Sequence, residues 1–92
     1  MRLDSFLKVS RIIKRRPLAK EVCDKKLVHV NDQVAKAGKE INVGDTIFVK
    51  LRNRRLTVRV EQVPERAVSK KEASNLYTVL EDMLEKEDEF SW

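Results

Sequence analysis

Seven cations crowd the first twenty residues: Arg2, Lys8, Arg11, Lys14, Arg15, Arg16 and Lys20. Their shared chemistry is the capture of anionic oxygen. Arginine does this with a planar fork that meets a phosphate at two points, whereas lysine offers a point charge. Four of the seven are arginines, and Arg54 and Arg55 are expected to add to them from a hairpin tip, with Lys36 between. Pro17 suits the first position of a helix, where its missing N–H had no partner anyway. Arg16 is therefore expected at or beside that helix start. A phosphate there would meet a guanidinium, free backbone N–H groups and the positive end of the peptide dipoles together.

The rest of the charge pattern points the same way. Residues 1–60 carry 16 Lys/Arg against 6 Asp/Glu, residues 61–92 carry 4 against 9, and the whole chain of 92 residues has a net charge of +5. A basic block of that density repels itself, and a polyanion relieves the repulsion while releasing its own condensed counterions. Nucleic acid is the expected partner. A solvated basic surface with no ligand is the alternative. Aromatic side chains for stacking bases are nearly absent from the basic face, because Phe6 falls on an apolar stripe. That favours a folded RNA recognised by backbone shape over a single strand read by stacking.

The elements that must position these cations follow from periodicity. Leu3, Phe6 and Leu7 at i, i+3 and i+4 predict a short helix over 2–9. Ile12 and Ile13 carry the apolar signal through a turn. Leu18, Ala19, Val22 and Cys23 predict the buried stripe of a second helix from Pro17. Val28 and Val30 flank His29 in a short strand, and Asn31–Asp32 reads as a tight turn. Gly38 and Gly44–Asp45 mark further turns. TIFVKL and RLTVRV alternate with period two and predict a hairpin whose tip runs from Arg52 to Arg55. Ser69 with Glu72 forms a capping box, and Ala73, Leu76, Tyr77, Leu80 and Leu84 follow at helical spacing, which predicts a C-terminal helix docked on the sheet. The end, EKEDEFSW, reads as an acidic, frayed tail.

Small size and composition weigh against catalysis. Some 41% of residues are apolar and 5% aromatic, so the core is modest and leaves little room for a shaped pocket. Asp4, Asp45 and Glu40 supply carboxylates, but Asp4 is expected to serve a first helical turn and Asp45 a tight turn. His29 has no base beside it in the pattern, Cys23 lies on a buried stripe, and two glycines make no phosphate-cradling loop. One histidine and one cysteine cannot form a structural zinc site. No cofactor or metal is expected, and no apolar run suggests a signal peptide or membrane span.

Three segments, RLDSFLKVSR, KRRPLAKEVCDKKLVHVN and KAGKEINVGDTIFVKL, together resemble the S-four RNA-binding domain, over residues 1 to about 51. Asp32 stands where that family usually has glycine. The resemblance implies an α+β fold of two short helices packed on a small β structure, and binding of structured RNA. The expected organisation is an RNA-binding domain over 1–65 followed by the C-terminal helix and acidic tail over 66–92. With KKEASNLYTVLEDM included, the chain is similar to the RqcP-type (YabO-type) family of bacterial ribosome-associated quality control. That similarity implies a cytoplasmic, ribosome-associated monomer whose partners are large-subunit rRNA, the peptidyl-site tRNA and RqcH. Arg2 and Arg16 match the family's basic positions expected to touch rRNA and tRNA, with Arg11, Arg15 and Lys20 in support. Heat-shock-type proteins that rescue large subunits are the nearest alternative, and a protein-interaction module acting through the acidic tail is one of another class.

Overall fold

The computed structural model describes residues 1–84. Two helices open the chain, α1 over Leu3–Val9 and α2 over Arg16–Asp24. Four strands follow: β1 (Val28–Val30), β2 (Gln33–Val34), β3 (Thr46–Leu51) and β4 (Arg54–Val60). A single helical turn, α3 (Lys70–Ala73), leads to β5 (Tyr77–Leu84). The strands form one antiparallel sheet in the order β2-β1-β3-β4-β5.

Alternation decides which face of the sheet is buried. Val28, Val49 and Leu56 stand opposite one another across three strands, and Val30, Ile47 and Val58 form the next row. All six are buried, and they merge into one cluster with Leu3, Phe6 and Leu7 of α1 and Ala19, Val22 and Cys23 of α2. The intervening residues, His29, Phe48 and Thr57, make a parallel row on the opposite face. The first two N–H groups of α1 donate to loop carbonyls, Leu3 to Lys39 at 2.8 Å and Asp4 to Ala37 at 3.1 Å, so this helix start is closed by its own chain.

The C-terminal element corrects the sequence reading. The expected helix over the last third gives way to one turn and a strand. Ser69 does cap it, its Oγ accepting from the Glu72 N–H at 3.3 Å, but the helix stops at Ala73. Tyr77, Thr78 and Val79 then favour an extended chain, and the open edge of β4 offers a full row of backbone partners. Ala73 and Leu76 are buried as expected, whereas Leu80 and Leu84 are 49% and 74% exposed. The register shifts between Thr57 and Val58, leaving Leu80 without a cross-strand partner. The acidic tail, residues 85–92, lies outside the described residues.

Four residues other than glycine adopt positive φ: Arg11 (62°), Lys26 (62°), Asn31 (52°) and Asp32 (68°). The last two make the two-residue turn between β1 and β2, a geometry that favours Asn-Gly. Asn31 earns its place through hydrogen bonds to Asp45 Oδ1 at 3.1 Å and from the Thr46 N–H at 3.0 Å. Asp32 has no such compensation among the hydrogen bonds of the described residues. Asp32→Gly is therefore expected to raise stability by about 0.5–1 kcal/mol in urea unfolding, since it removes left-handed strain at an exposed position. An unchanged or lowered midpoint would contradict that account.

Candidate nucleic-acid interface

The groove begins with α1. Burial of Leu3, Phe6 and Leu7 fixes the rotation of this helix, so Lys8 faces outwards while Ser5 and Val9 stay half-buried at the edge of the core. Arg11 follows in the left-handed conformation, with its N–H on the Lys8 carbonyl at 3.1 Å. This terminates α1 and turns the chain towards Lys14 and α2. A groove of about 340 Å³ results, rimmed by Lys8, Arg11, Lys14 and Arg16, with Ser5 and Val9 on its α1 side and Ala67 and Val68 on the other.

Arg16 is the second position where the structure refines the reading. Arg15, not Arg16, is the N-cap of α2, and Pro17 occupies the second helical position. The Arg16 guanidinium reaches across to α1, where Nη2 donates to Ser5 Oγ at 3.1 Å. That contact ties the two helices together and leaves the side chain exposed at the groove.

Arg2 is held from beneath. Its Nε lies 3.3 Å from Oδ1 of Asp4, whose side chain is 7% exposed while that of Arg2 is 59% exposed. The same oxygen accepts the Ser5 N–H at 2.8 Å. The guanidinium passes 3.8 Å from where a Cβ on Gly38 would stand. Arg2 and Ser5 share a shallow cavity with Pro64 and Glu65. Ser5 also lines the main groove, so the two are continuous along α1.

Past the helix turn, Arg11 and Lys14 also face a second cavity of about 380 Å³, with Arg15, Leu18, Leu51 and Arg54. Seven of the expected cations (Arg2, Lys8, Arg11, Lys14, Arg15, Arg16 and Arg54) thus line one track, Arg54 at its far end. Lys20 is exposed on α2 but lines none of these cavities, and Lys36 lines a separate one with Gly38 and Lys39. The expected four-residue hairpin tip shrinks to Arg52–Asn53, and Arg54 and Arg55 lie within β4, where alternation sends them to opposite faces. Arg54 is bound in two places by Asp82 of β5, at 2.8 and 2.6 Å. The guanidinium lowers the Asp82 carboxyl below its ordinary value.

Residues 1–47 match the model of the S4 domain family. The chain belongs to the S4 domain family. The chain is also 52% identical over 79 residues to the RQC P-site tRNA stabilizing factor of Halalkalibacterium halodurans, covering 86% of this chain and 89% of the relative. Against the factor of the same name from Bacillus subtilis it is 45% identical over 82 residues, 89% of this chain and 94% of the relative. In the solved trimeric structure of Heat Shock Protein 15 from Vibrio cholerae, the likeness has a TM-score of 0.78 at 30% identity, covering 86% of this chain and 80% of that one.

Sequence reasoning about the S4 domain missed three contributors to the track. Ser5 and Asp4 position Arg16 and Arg2, and the only signal was their place beside an apolar stripe. Val68 comes from a segment more than fifty residues away, which no local pattern could assign. Leu18, expected in the core, is 42% exposed on the rim of the second cavity.

Cys23 is buried against the helices, and burial pushes its thiol up to about 11, with the carboxylates of Asp4 and Asp24 adding to the effect. A folded pKa above the unfolded one means that the neutral thiol suits the fold, so its contribution is complete below about pH 9 and is lost as pH rises towards 11. Urea midpoints measured from pH 8 to 11 are expected to fall more steeply for the parent than for Cys23→Ala. Parallel pH slopes would show that the thiol does not titrate with folding.

Proposed function

We propose that this S4 domain binds the large ribosomal subunit still holding peptidyl-tRNA, steadies the tRNA in the peptidyl site, and so supports RqcH-dependent addition of a C-terminal alanine tail to the stalled chain. The observation that carries this reading is the cationic track on α1, α2 and their turn, in a chain about half identical to factors named for stabilising a P-site tRNA. A track lined by two helices and a loop wall suits phosphates on a folded RNA better than base edges. In this reading Arg2 and Arg16 touch rRNA and tRNA phosphates, Lys8, Arg11, Lys14 and Arg15 extend the contact, and Lys20, Lys36 and Arg55 add longer-range attraction. Arg54 chiefly locks β4 to β5. The protein acts as a single copy, by positioning and without catalysing a step itself. Among the described residues, no helix is long and apolar enough to cross a membrane.

Sedimentation of the tagged protein from lysate through a sucrose gradient tests the proposal. Migration with free large subunits bearing tRNA is expected, together with loss of alanine-tailed chains when the protein is removed. Recovery at the top of the gradient without RNA, even at low salt, would end the ribosomal reading. The heat-shock-type alternative has the weaker likeness, at 30% identity. It predicts that alanine tailing continues in the absence of the protein.

A further inference from the structure

The sheet face turned away from the helices carries a second constellation. His29 on β1, Phe48 on β3 and Thr57 on β4 stand side by side in register. The His29 and Phe48 rings are 5.6 Å apart at 50°. With Asp32 and Thr46 these three line a cavity of about 270 Å³, and none of them is fully buried. His29 also holds its Nδ1 away from solvent with no hydrogen-bond partner.

The chemistry along this face is graded. One row from Phe48 stand Lys50 and its cross-strand partner Arg55. One row to the other side stand Thr46 and Arg59, with Arg59 committed to Glu61 at 3.0 Å. The Asp32 carboxylate closes the cavity at the end away from Lys50. An aromatic floor with hydroxyls and a carboxylate at one end, and the exposed Lys50 one row beyond the other, matches a single nucleotide laid across the strands. The phosphate goes to Lys50, the base stacks on Phe48, and the base's amino group is accepted by Asp32.

We infer that the open face of the sheet, centred on Phe48 and His29, is a second RNA site that takes one unpaired nucleotide, with preference for a base bearing an exocyclic amino group. This site lies on the opposite side of the sheet from the cationic track, so the two can be occupied together. The domain would then clamp a structured RNA with its helices while holding an extruded or single-stranded base on its sheet. The inference does not depend on which RNA the track engages.

The test is NMR titration of the full chain with single-stranded hexacytidylate and hexauridylate. Saturable shifts are expected at the Phe48 ring, the His29 ring and the Thr57 and Lys50 amides, stronger for cytidine than for uridine. Phe48→Leu keeps apolar volume but removes the stacking face, and is expected to weaken hexacytidylate binding at least fivefold. Phe48→Tyr is expected to bind as the parent does. Lys50→Ala, at an exposed site, should weaken binding even if Phe48→Leu disturbs the fold. The Arg2→Ala, Arg16→Ala double variant should retain the sheet-face shifts, which separates this site from the track. Shifts confined to α1 and α2, no shifts at all, or unaltered affinity of both Phe48→Leu and Lys50→Ala would overturn the inference. Loss of alanine tailing in Phe48→Leu with oligonucleotide binding intact would assign the face to a protein partner and overturn it equally.

Discussion

Replacing Arg2 and Arg16 together by alanine is expected to weaken association with large subunits carrying peptidyl-tRNA by about a hundredfold or more. In the proposed complex each guanidinium would make charge-assisted contacts worth roughly 1.5–3 kcal/mol, and two at the lower bound already amount to about two decades in affinity. Both side chains are exposed and lie on one track, yet each is oriented from within the domain, Arg2 by buried Asp4 and Arg16 by Ser5. The arginines therefore arrive preorganised, and less side-chain entropy is lost on binding. The double variant leaves the apolar core intact but takes the cation from buried Asp4 and the tie between α1 and α2. Binding is therefore compared at temperatures where urea unfolding shows the variant folded. The dependence of binding on salt should also flatten by about two in the log–log slope. Lys20→Ala, outside the track, is expected to cost far less. Full retention of subunit binding by the double variant would remove the track from the interface.

A larger effect on the molecule itself is expected from Phe6→Ala. Phe6 is fully buried between α1 and the sheet, and truncation of a core phenylalanine costs about 3–5 kcal/mol through lost burial and the cavity left behind. A domain of this size has roughly 5–15 kcal/mol to lose, so the variant should unfold at a much lower urea concentration and lose RNA binding with it. Phe6→Leu, nearer in volume, should fall between. The contrast with Arg2 and Arg16 is the point of the comparison: one substitution removes the platform, the other the contacts mounted on it. A drop below 1 kcal/mol for Phe6→Ala would mean that α1 is not anchored as described.

Most of the platform was legible before any coordinates. The stripe of Leu3, Phe6 and Leu7, the alternation of Ile47 and Val49 against Phe48, and the turn at Asn31–Asp32 each have one periodic interpretation, and the fold adopts it. The last third has two. Ala73, Leu76, Tyr77, Leu80 and Leu84 fit helical spacing, while the β-branched and aromatic run from Tyr77 to Val79 fits a strand. The unpaired edge of β4 decided between them, which is tertiary information. The bulge at Leu80 further hides the strand by breaking its period. For the interface, clustering in sequence located six of the cations that the track unites. It could not tell Arg54, which lines the far cavity, from Arg55, because a hairpin turn two residues shorter than expected moves both into β4 and onto opposite faces. Nor could it find Asp4 and Ser5, whose roles depend on which way α1 is rotated against the sheet.

Arg11 closes α1 in a conformation that glycine adopts freely and arginine does not. The same holds for Lys26 after α2, so both helices end on a cation bent into an unfavourable shape. For anyone engineering a hardier variant of this chain, the two positions are not equivalent. Glycine at Lys26, which lines none of the track's cavities, would release strain without removing a groove cation, whereas glycine at Arg11 would release strain by deleting one. The first substitution is expected to raise the unfolding midpoint; the second exchanges affinity for such a gain.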